Sequence, residues 1–239
     1  VPLAERRRMR RGVVVTGGSR GIGLATARLF QQSDYEVISL SRSAPPTSVG
    51  AHLAADITDL TSVERAAEIL LEQATRWDRT VLIHNAAVHR HDTVRNLSAR
   101  ELLAVLSANL AAPQALNKAL VPAMKPGSSI LYIGSTLTEK AVAGAASYIA
   151  SKHAMVGLMR ATCQDLAGSG VHTACICPGF TDTEMLRGHV GEAVEAITGM
   201  VAAGRLLRPE EIAGLARVCA DSPALNGAVL HANLGQIER

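Results

Sequence analysis

Two periods of hydrophobic and polar positions alternate along the chain. Short apolar runs rich in β-branched residues, among them Val13-Val14-Val15, Val81-Leu82-Ile83 and Ile130-Leu131-Tyr132-Ile133, are separated by longer stretches with helical spacing. A short run that is apolar throughout suits a strand covered on both faces, and strands alternating with helices suit βαβ units that feed one parallel sheet. The pattern predicts strands at 12–16, 36–40, 52–55, 80–84, 129–133, 172–177 and 228–232. It predicts helices at 21–32, 62–75, 98–123, 147–167 and 209–219, with a looser helical region at 184–203. Thr61 with Glu64, and Ser98 with Glu101, have the spacing in which hydroxyl and carboxylate satisfy free N–H groups at a helix start. Pro45-Pro46 marks a surface loop. The expected fold is α/β, a doubly wound, seven-stranded parallel sheet with helices on both faces. It forms a single domain over 12–239 after a basic tail at 1–11.

Composition narrows the classes. At 239 residues, 48% hydrophobic and 19% charged, the chain can bury a large core and is too apolar for a disordered protein. No run approaches the roughly 18 apolar residues of a membrane-spanning helix. Residues 1–12 carry arginines but no apolar segment before a cleavage site, so no secretory signal is expected in the sequence as written, and the expected location is cytoplasmic. Arg6, Arg7, Arg8, Arg10 and Arg11 account for the excess of positive charge. Setting them and Glu5 apart from the totals of 24 basic and 21 acidic residues leaves 19 against 20. A nearly neutral body with six aromatic residues argues against a nucleic-acid partner. The four cysteines lack C-x-x-C spacing and read as reduced core thiols.

The first predicted strand runs into Thr16-Gly17-Gly18-Ser19-Arg20-Gly21-Ile22-Gly23 and then into a helix. Such a turn lets the backbone approach a pyrophosphate, whose charge is favoured by the free N–H groups and dipole of the helix that follows. The same letters contain G-x-S-x-G, the nucleophile elbow of serine hydrolases, with Ser19 as nucleophile. Only a short tail precedes that serine, where the hydrolase fold needs an earlier strand and loop for its oxyanion hole. About 20 residues beyond the glycines, where an acidic residue holds the ribose of NAD, the chain reads Leu40-Ser41-Arg42-Ser43. Arg42 and Arg20 can pair with a 2′-phosphate, which favours NADP(H) over the alternative, NAD(H).

Tyr148 and Lys152 lie four apart in a helical stretch and share a face. With three tyrosines and four lysines in the chain, this spacing is expected by chance only about 0.05 times. A free phenol, with a pKa of about 10, is a poor acid or base at neutral pH, and a nearby ammonium is what such chemistry requires. Ser135 follows a predicted strand at the sheet edge where ligands of open parallel sheets bind.

Together these residues resemble the short-chain dehydrogenases/reductases, of the single-domain Rossmann type that includes the β-ketoacyl carrier-protein reductases. The resemblance covers nearly the whole chain and rests on Thr16-Gly17 with Gly21 and Gly23, Asp56, Asn85-Ala86, Asn109, Ser135, Tyr148 with Lys152, and Pro178-Gly179 with Thr183. It implies an oxidoreductase that interconverts a carbonyl and a secondary alcohol. Tyr148 would be the acid/base, Lys152 would lower its pKa and bind ribose, Ser135 would hold the substrate oxygen, and Asn109 would position a relay water. The implied cofactor contacts are Gly17, Ser19, Arg20, Gly21, Ile22, Gly23, Arg42, Asp56 at adenine, Ile57, Asn85 at ribose, Ala86, Tyr148, Lys152, Pro178, Gly179, Thr181 and Thr183 at the carboxamide. It also implies a small-molecule carbonyl or alcohol substrate, a substrate loop near 180–203, and a homodimer or homotetramer. The chain departs from the family at His84-Asn85-Ala86-Ala87, for the usual Asn-Asn-Ala-Gly, and at Asn233-Leu234-Gly235, for the usual Asp-Gly-Gly.

Three further readings remain. A catalytically silent NADP(H)-binding redox sensor is the alternative from another class. His89 and His91 suggest no third metal ligand and no metal is expected, whereas a substrate contact from their loop fits the active-site rim. Leu137, Phe180, Met185 and Leu186 could line an apolar pocket or pack in the core.

Overall fold

The computed structural model describes residues 9–236. Strands β1 (Arg11–Thr16), β2 (Glu36–Ser41), β3 (Ala51–Ala54), β4 (Arg79–His84), β5 (Ser129–Ile133), β6 (His172–Pro178) and β7 (Ala228–Ala232) form one parallel sheet in the order β3-β2-β1-β4-β5-β6-β7. The helices are α1 (Gly21–Gln32), α2 (Leu60–Thr75), α3 (Ala99–Leu106), α4 (Ala112–Leu120), α5 (Ala146–Asp165), α6 (Glu184–Val190), α7 (Val194–Thr198) and α8 (Pro209–Asp221). The doubly wound Rossmann-like sheet expected from the sequence is present.

Alternation along the strands builds a core on each face. Val14, Leu82, Ile130 and Tyr132 pack with Leu70 of α2, Leu116 of α4 and Met155 of α5. Val13, Val15, Ile83 and Leu131 pack on the other face with Phe30 of α1 and Ile212 of α8.

Several boundaries differ from the sequence reading. Arg11 opens β1 in register with Arg79, and Arg10 bonds Asp78 and Glu36, so both belong to the folded domain rather than to the tail. Residues 1–8 lie outside the described residues. Helix α2 starts at Leu60 because the Asp59 carboxylate caps it, accepting the Thr61 N–H at 3.0 Å, and Thr61 forms no capping box. The box at Ser98 and Glu101 is formed as expected. The single helix expected over 98–123 is interrupted by a π-helical turn at Ser107–Ala111. Pro113 has no N–H for the carbonyl of Asn109, four residues earlier, and its ring crowds that carbonyl, so the helix widens there.

His84 explains how the departure after β4 is accommodated. Its side chain is buried in the core, where Nε2 donates to Asn117 Oδ1 at 2.8 Å, and Asn117 Nδ2 donates to Tyr132 Oη at 2.7 Å. The Tyr132 hydroxyl continues to Thr162 Oγ1 at 3.2 Å, and Thr162 donates to the Leu158 carbonyl. This chain ties β4, β5, α4 and α5 together. Burial pushes the His84 pKa down to about 4, opposed by the bond to Asn117. Unfolded His84 titrates near its usual value of about 6.5, so the unfolded chain binds the extra proton between the two values. His84 therefore contributes full stability above pH ~6.5, and the contribution is lost as pH falls toward 4. Urea unfolding across that window should show a loss of about 3 kcal/mol from this residue. The slope should flatten in His84→Gln, which keeps a donor for Asn117 but takes no proton. An identical slope in the variant excludes His84 as its source.

Candidate active site

The carboxyl ends of β1 and β4 meet where the strand order reverses, which is where open α/β sheets bind ligands. The Thr16 hydroxyl accepts the N–H groups of Asn85 and Ala86 at 2.9 and 3.0 Å. Asn85 Nδ2 returns bonds to the carbonyls of Thr16 and Gly17 at 3.0 and 3.3 Å. The glycine turn is thereby clamped to the end of β4. Gly17 has φ +68°. A Cβ on Gly23 would lie 2.2 Å from the Gly17 carbonyl oxygen, so no larger residue fits against the turn. Arg20 precedes α1 without a side-chain cap, leaving the N–H groups of the helix start open for an anion. This cradle fits a dinucleotide pyrophosphate.

Ser39, Ser41 and Arg42 lie beside the turn at the end of β2. Ser39 Oγ is placed where a Gly18 side chain would be, and Ser41 Oγ donates to the Ser43 carbonyl. Arg42 is exposed and close enough to Asp56 to help hold that carboxyl low, although the larger cause is the Thr58 N–H bonded to Asp56 Oδ1. Arg20, expected to face the same phosphate, instead pairs with Glu184 of α6 at 2.9 Å across the groove. A carboxylate in the first turn of α6 supplies that partner. Ser19 has no hydrogen bond to a histidine or carboxylate among the described residues, so the hydrolase reading lacks a base.

At the ends of β5 and β6 the other expected residues converge. Ser135 hydrogen-bonds the Tyr148 phenol and accepts the Leu137 N–H at 3.1 Å. Lys152 is 2% exposed, and its Nζ donates to the Ile133 carbonyl at 2.7 Å while lying 5.4 Å from the Tyr148 ring centroid. Burial lowers the lysine to about 8, opposed by the nearby Cys175 and Cys177. Burial raises the phenol pKa and the Ser135 hydrogen bond opposes it, while the Lys152 ammonium is anchored on Ile133.

Asn109 sits in the π turn with its side chain engaged. Oδ1 accepts the Val88 N–H at 2.7 Å, and Nδ2 donates to the Val88 carbonyl and to Ser151 Oγ, both at 2.9 Å. A water at this position would therefore meet the main-chain carbonyl that Pro113 leaves without its N–H partner. Pro178 ends β6, Gly179 N–H bonds the Ala232 carbonyl, and Thr181 Oγ1 donates to the Gly179 carbonyl. Thr183 caps α6 by accepting the Leu186 N–H, with its methyl group beside Gly21. Ile22 and Ile57 pack against the two cores.

Residues not singled out by sequence also shape the site. Buried Asp92 accepts the Ser147 N–H at 3.0 Å and its hydroxyl, fixing the start of the helix that carries Tyr148. His189 of α6 meets His89 with ring centroids 3.9 Å apart, and His89 packs on Tyr148 at 4.5 Å. The Asp92 partners are 55 residues apart, so no local pattern announces them. His91 lies by Gly144, away from any group of three or more ligating side chains among the described residues.

With this geometry in place, comparison with known proteins gives the family. The short chain dehydrogenase model matches residues 11–192. The chain belongs to the short-chain dehydrogenase family. It is 30% identical over 225 residues to carbonyl reductase family member 4 of Xenopus tropicalis, covering 90% of this chain and 93% of that protein. It is 30% identical over 234 residues to the 3-oxoacyl acyl-carrier-protein reductase FabG of Escherichia coli K12, covering 93% and 95%. Among solved structures, an NAD(P)-dependent gluconate 5-dehydrogenase candidate from Beutenbergia cavernae, with NADP bound at low occupancy, superposes with TM-score 0.85 at 29% identity, covering 96% and 97%. This short-chain dehydrogenase has no helix long and apolar enough to cross a membrane among its described residues.

The close approach at Gly23 yields a direct test. Gly23→Ala must displace the Gly17 turn, and we expect a loss of at least about 2 kcal/mol in unfolding free energy, as for other overpacked sites. Dinucleotide affinity, measured by fluorescence titration, should fall about tenfold or more. Unchanged values for both would show that the turn has room the geometry denies.

Proposed function

We propose that the protein is an NADP(H)-dependent oxidoreductase that interconverts a carbonyl and a secondary alcohol, with Tyr148 as the acid/base. The observation that carries this reading is the convergence of Ser135, Tyr148 and buried Lys152 beside the glycine cradle. A bound nicotinamide cofactor supplies or accepts the hydride.

The protein residues handle orientation and the proton. Ser135 and Tyr148 hydrogen-bond the substrate oxygen together, drawing electron density from the carbonyl carbon. Tyr148 gives its phenol proton to the carbonyl oxygen in reduction and takes one from the alcohol in oxidation. Lys152 places positive charge under the site and, anchored on Ile133 with a long contact to Met155 Sδ, keeps a donor for a ribose. A water held at the Asn109 main-chain carbonyl would return protons toward Lys152. Arg42 and the serines beside it receive a 2′-phosphate, which supports NADP(H), as do the NADP-bound relative and the absence of a carboxylate at residues 40–43.

The same reading extends to assembly and location. An apolar groove of about 550 Å³ lined by Leu103, Leu106, Leu110 and Leu158 supports a homodimer or homotetramer. Four free thiols support a cytoplasmic enzyme. The substrate class is a small carbonyl compound.

Tyr148→Phe separates an enzyme from a silent nucleotide sensor. NADPH oxidation with a ketone panel should fall by about 10³-fold with NADPH Kd within about threefold of wild type. Activity equal to wild type would remove Tyr148 from the proposed role. For the cofactor, Arg42→Ala should weaken NADPH binding about tenfold and leave NADH nearly unchanged. Wild type that binds both cofactors equally would overturn the assignment to NADP(H).

A further inference from the structure

We propose that His89 is a specificity-determining residue that hydrogen-bonds a second oxygen function of the substrate, a hydroxyl or carbonyl adjacent to the reacting carbonyl. The inference rests on the reading of Tyr148 as the group that meets the carbonyl oxygen.

His89 packs against the proposed proton donor, and its Nδ1 has no hydrogen-bond partner among the described residues. The His89 ring packs on Tyr148 at 4.5 Å between centroids with the planes tilted by 44°. A carbonyl held by the phenol therefore places its neighbouring substituents along the imidazole edge. His89 Nδ1 is buried and has no hydrogen-bond partner among the described residues. A polar nitrogen buried without a partner costs stability, and a ligand oxygen that bonds to it recovers that cost. His189, an exposed side chain of α6 whose Nδ1 donates to the Met185 carbonyl 2.7 Å away, also packs on the His89 ring, with centroids 3.9 Å apart. An exposed side chain can turn aside without disturbing the core, opening the imidazole to a ligand.

The chemistry of the ring selects the ligand class. Burial, and next the proximity of His189, hold His89 neutral down to about pH 4, opposed by Asp92. A neutral imidazole offers one N–H and one lone pair. It therefore suits a hydroxyl or carbonyl oxygen, whereas a carboxylate would need a cation. Simple hydrocarbon ketones leave the nitrogen without a partner, and the site discriminates against them.

The probes are 3-hydroxy-2-butanone and 3-methyl-2-butanone, which present a hydroxyl or a methyl group at the same place beside the carbonyl. NADPH oxidation is measured with both for wild type, His89→Phe and His89→Gln, with melting temperature as the check on folding. Wild type should favour the hydroxyketone by about tenfold or more in kcat/KM, expressed mainly in KM. His89→Phe should bring the two ketones within about threefold of each other, and His89→Gln, which retains donor and acceptor, should restore part of the preference. A preference that survives in His89→Phe overturns the proposal. So does wild type that favours neither probe, or that reduces neither while reducing other ketones of a panel. If wild type reduces no carbonyl at all, the role of Tyr148 falls first and that of His89 with it, a result distinct from a mere loss of preference.

Discussion

The close approach of backbone to backbone where the sheet reverses direction is the constraint on which the rest depends. After β3 the chain crosses to the other side of β1 and adds β4, which leaves a crevice between the carboxyl ends of these two strands. The crevice is useful only if its floor is rigid and thin. Thr16 and Asn85 make it rigid by reciprocal hydrogen bonds across 69 residues of chain. Gly17 and Gly23 make it thin, because a side chain on Gly17 would crowd Asn85 and Ala86 at the end of β4 and one on Gly23 would run into the Gly17 carbonyl. The open N–H groups of α1 can then face an anion directly.

A second requirement is a fixed seat for a buried cation and a buried phenol. Neither Lys152 nor Tyr148 would be stable in an apolar interior without partners. Lys152 is held by the Ile133 carbonyl, and the polarizable sulfurs of Cys175 and Cys177 lie nearby. Tyr148 has Ser135, and the helix that carries both residues is pinned by Asp92 at Ser147 and by Asn109 at Ser151. These side chains come from β5 and its following turn, the loop after β4, and the π turn. The proposed active site thus registers the relative placement of β5, the loop after β4 and the π turn.

The proposed acid/base pair shows why proximity in sequence is an incomplete guide to chemistry. Four-residue spacing on a helix correctly puts phenol and lysine on one face. It leaves open that the ammonium is directed at the Ile133 carbonyl and that the phenol is buried. The direction of a side chain depends on what lies opposite it, and here that is a carbonyl on another strand. Arg20 is a similar case: its position in the turn suits a phosphate, while Glu184, 164 residues away, supplies an ion pair.

The strands, the glycine turn, the Tyr148 and Lys152 spacing and the capping box at Ser98 were legible in the chain itself, because each is a local rule of period, backbone geometry or capping. Even the π turn had a local cause in Pro113, although its consequence for the Asn109 carbonyl emerges only once the helix is built. The tertiary structure alone decided the Asp92 bond to Ser147, the polar chain from His84 to Thr162, and the stack of His189 on His89 and Tyr148. These contacts join residues that no short-range pattern relates, and they arise because packing seven strands between two helical layers brings distant segments of the chain together.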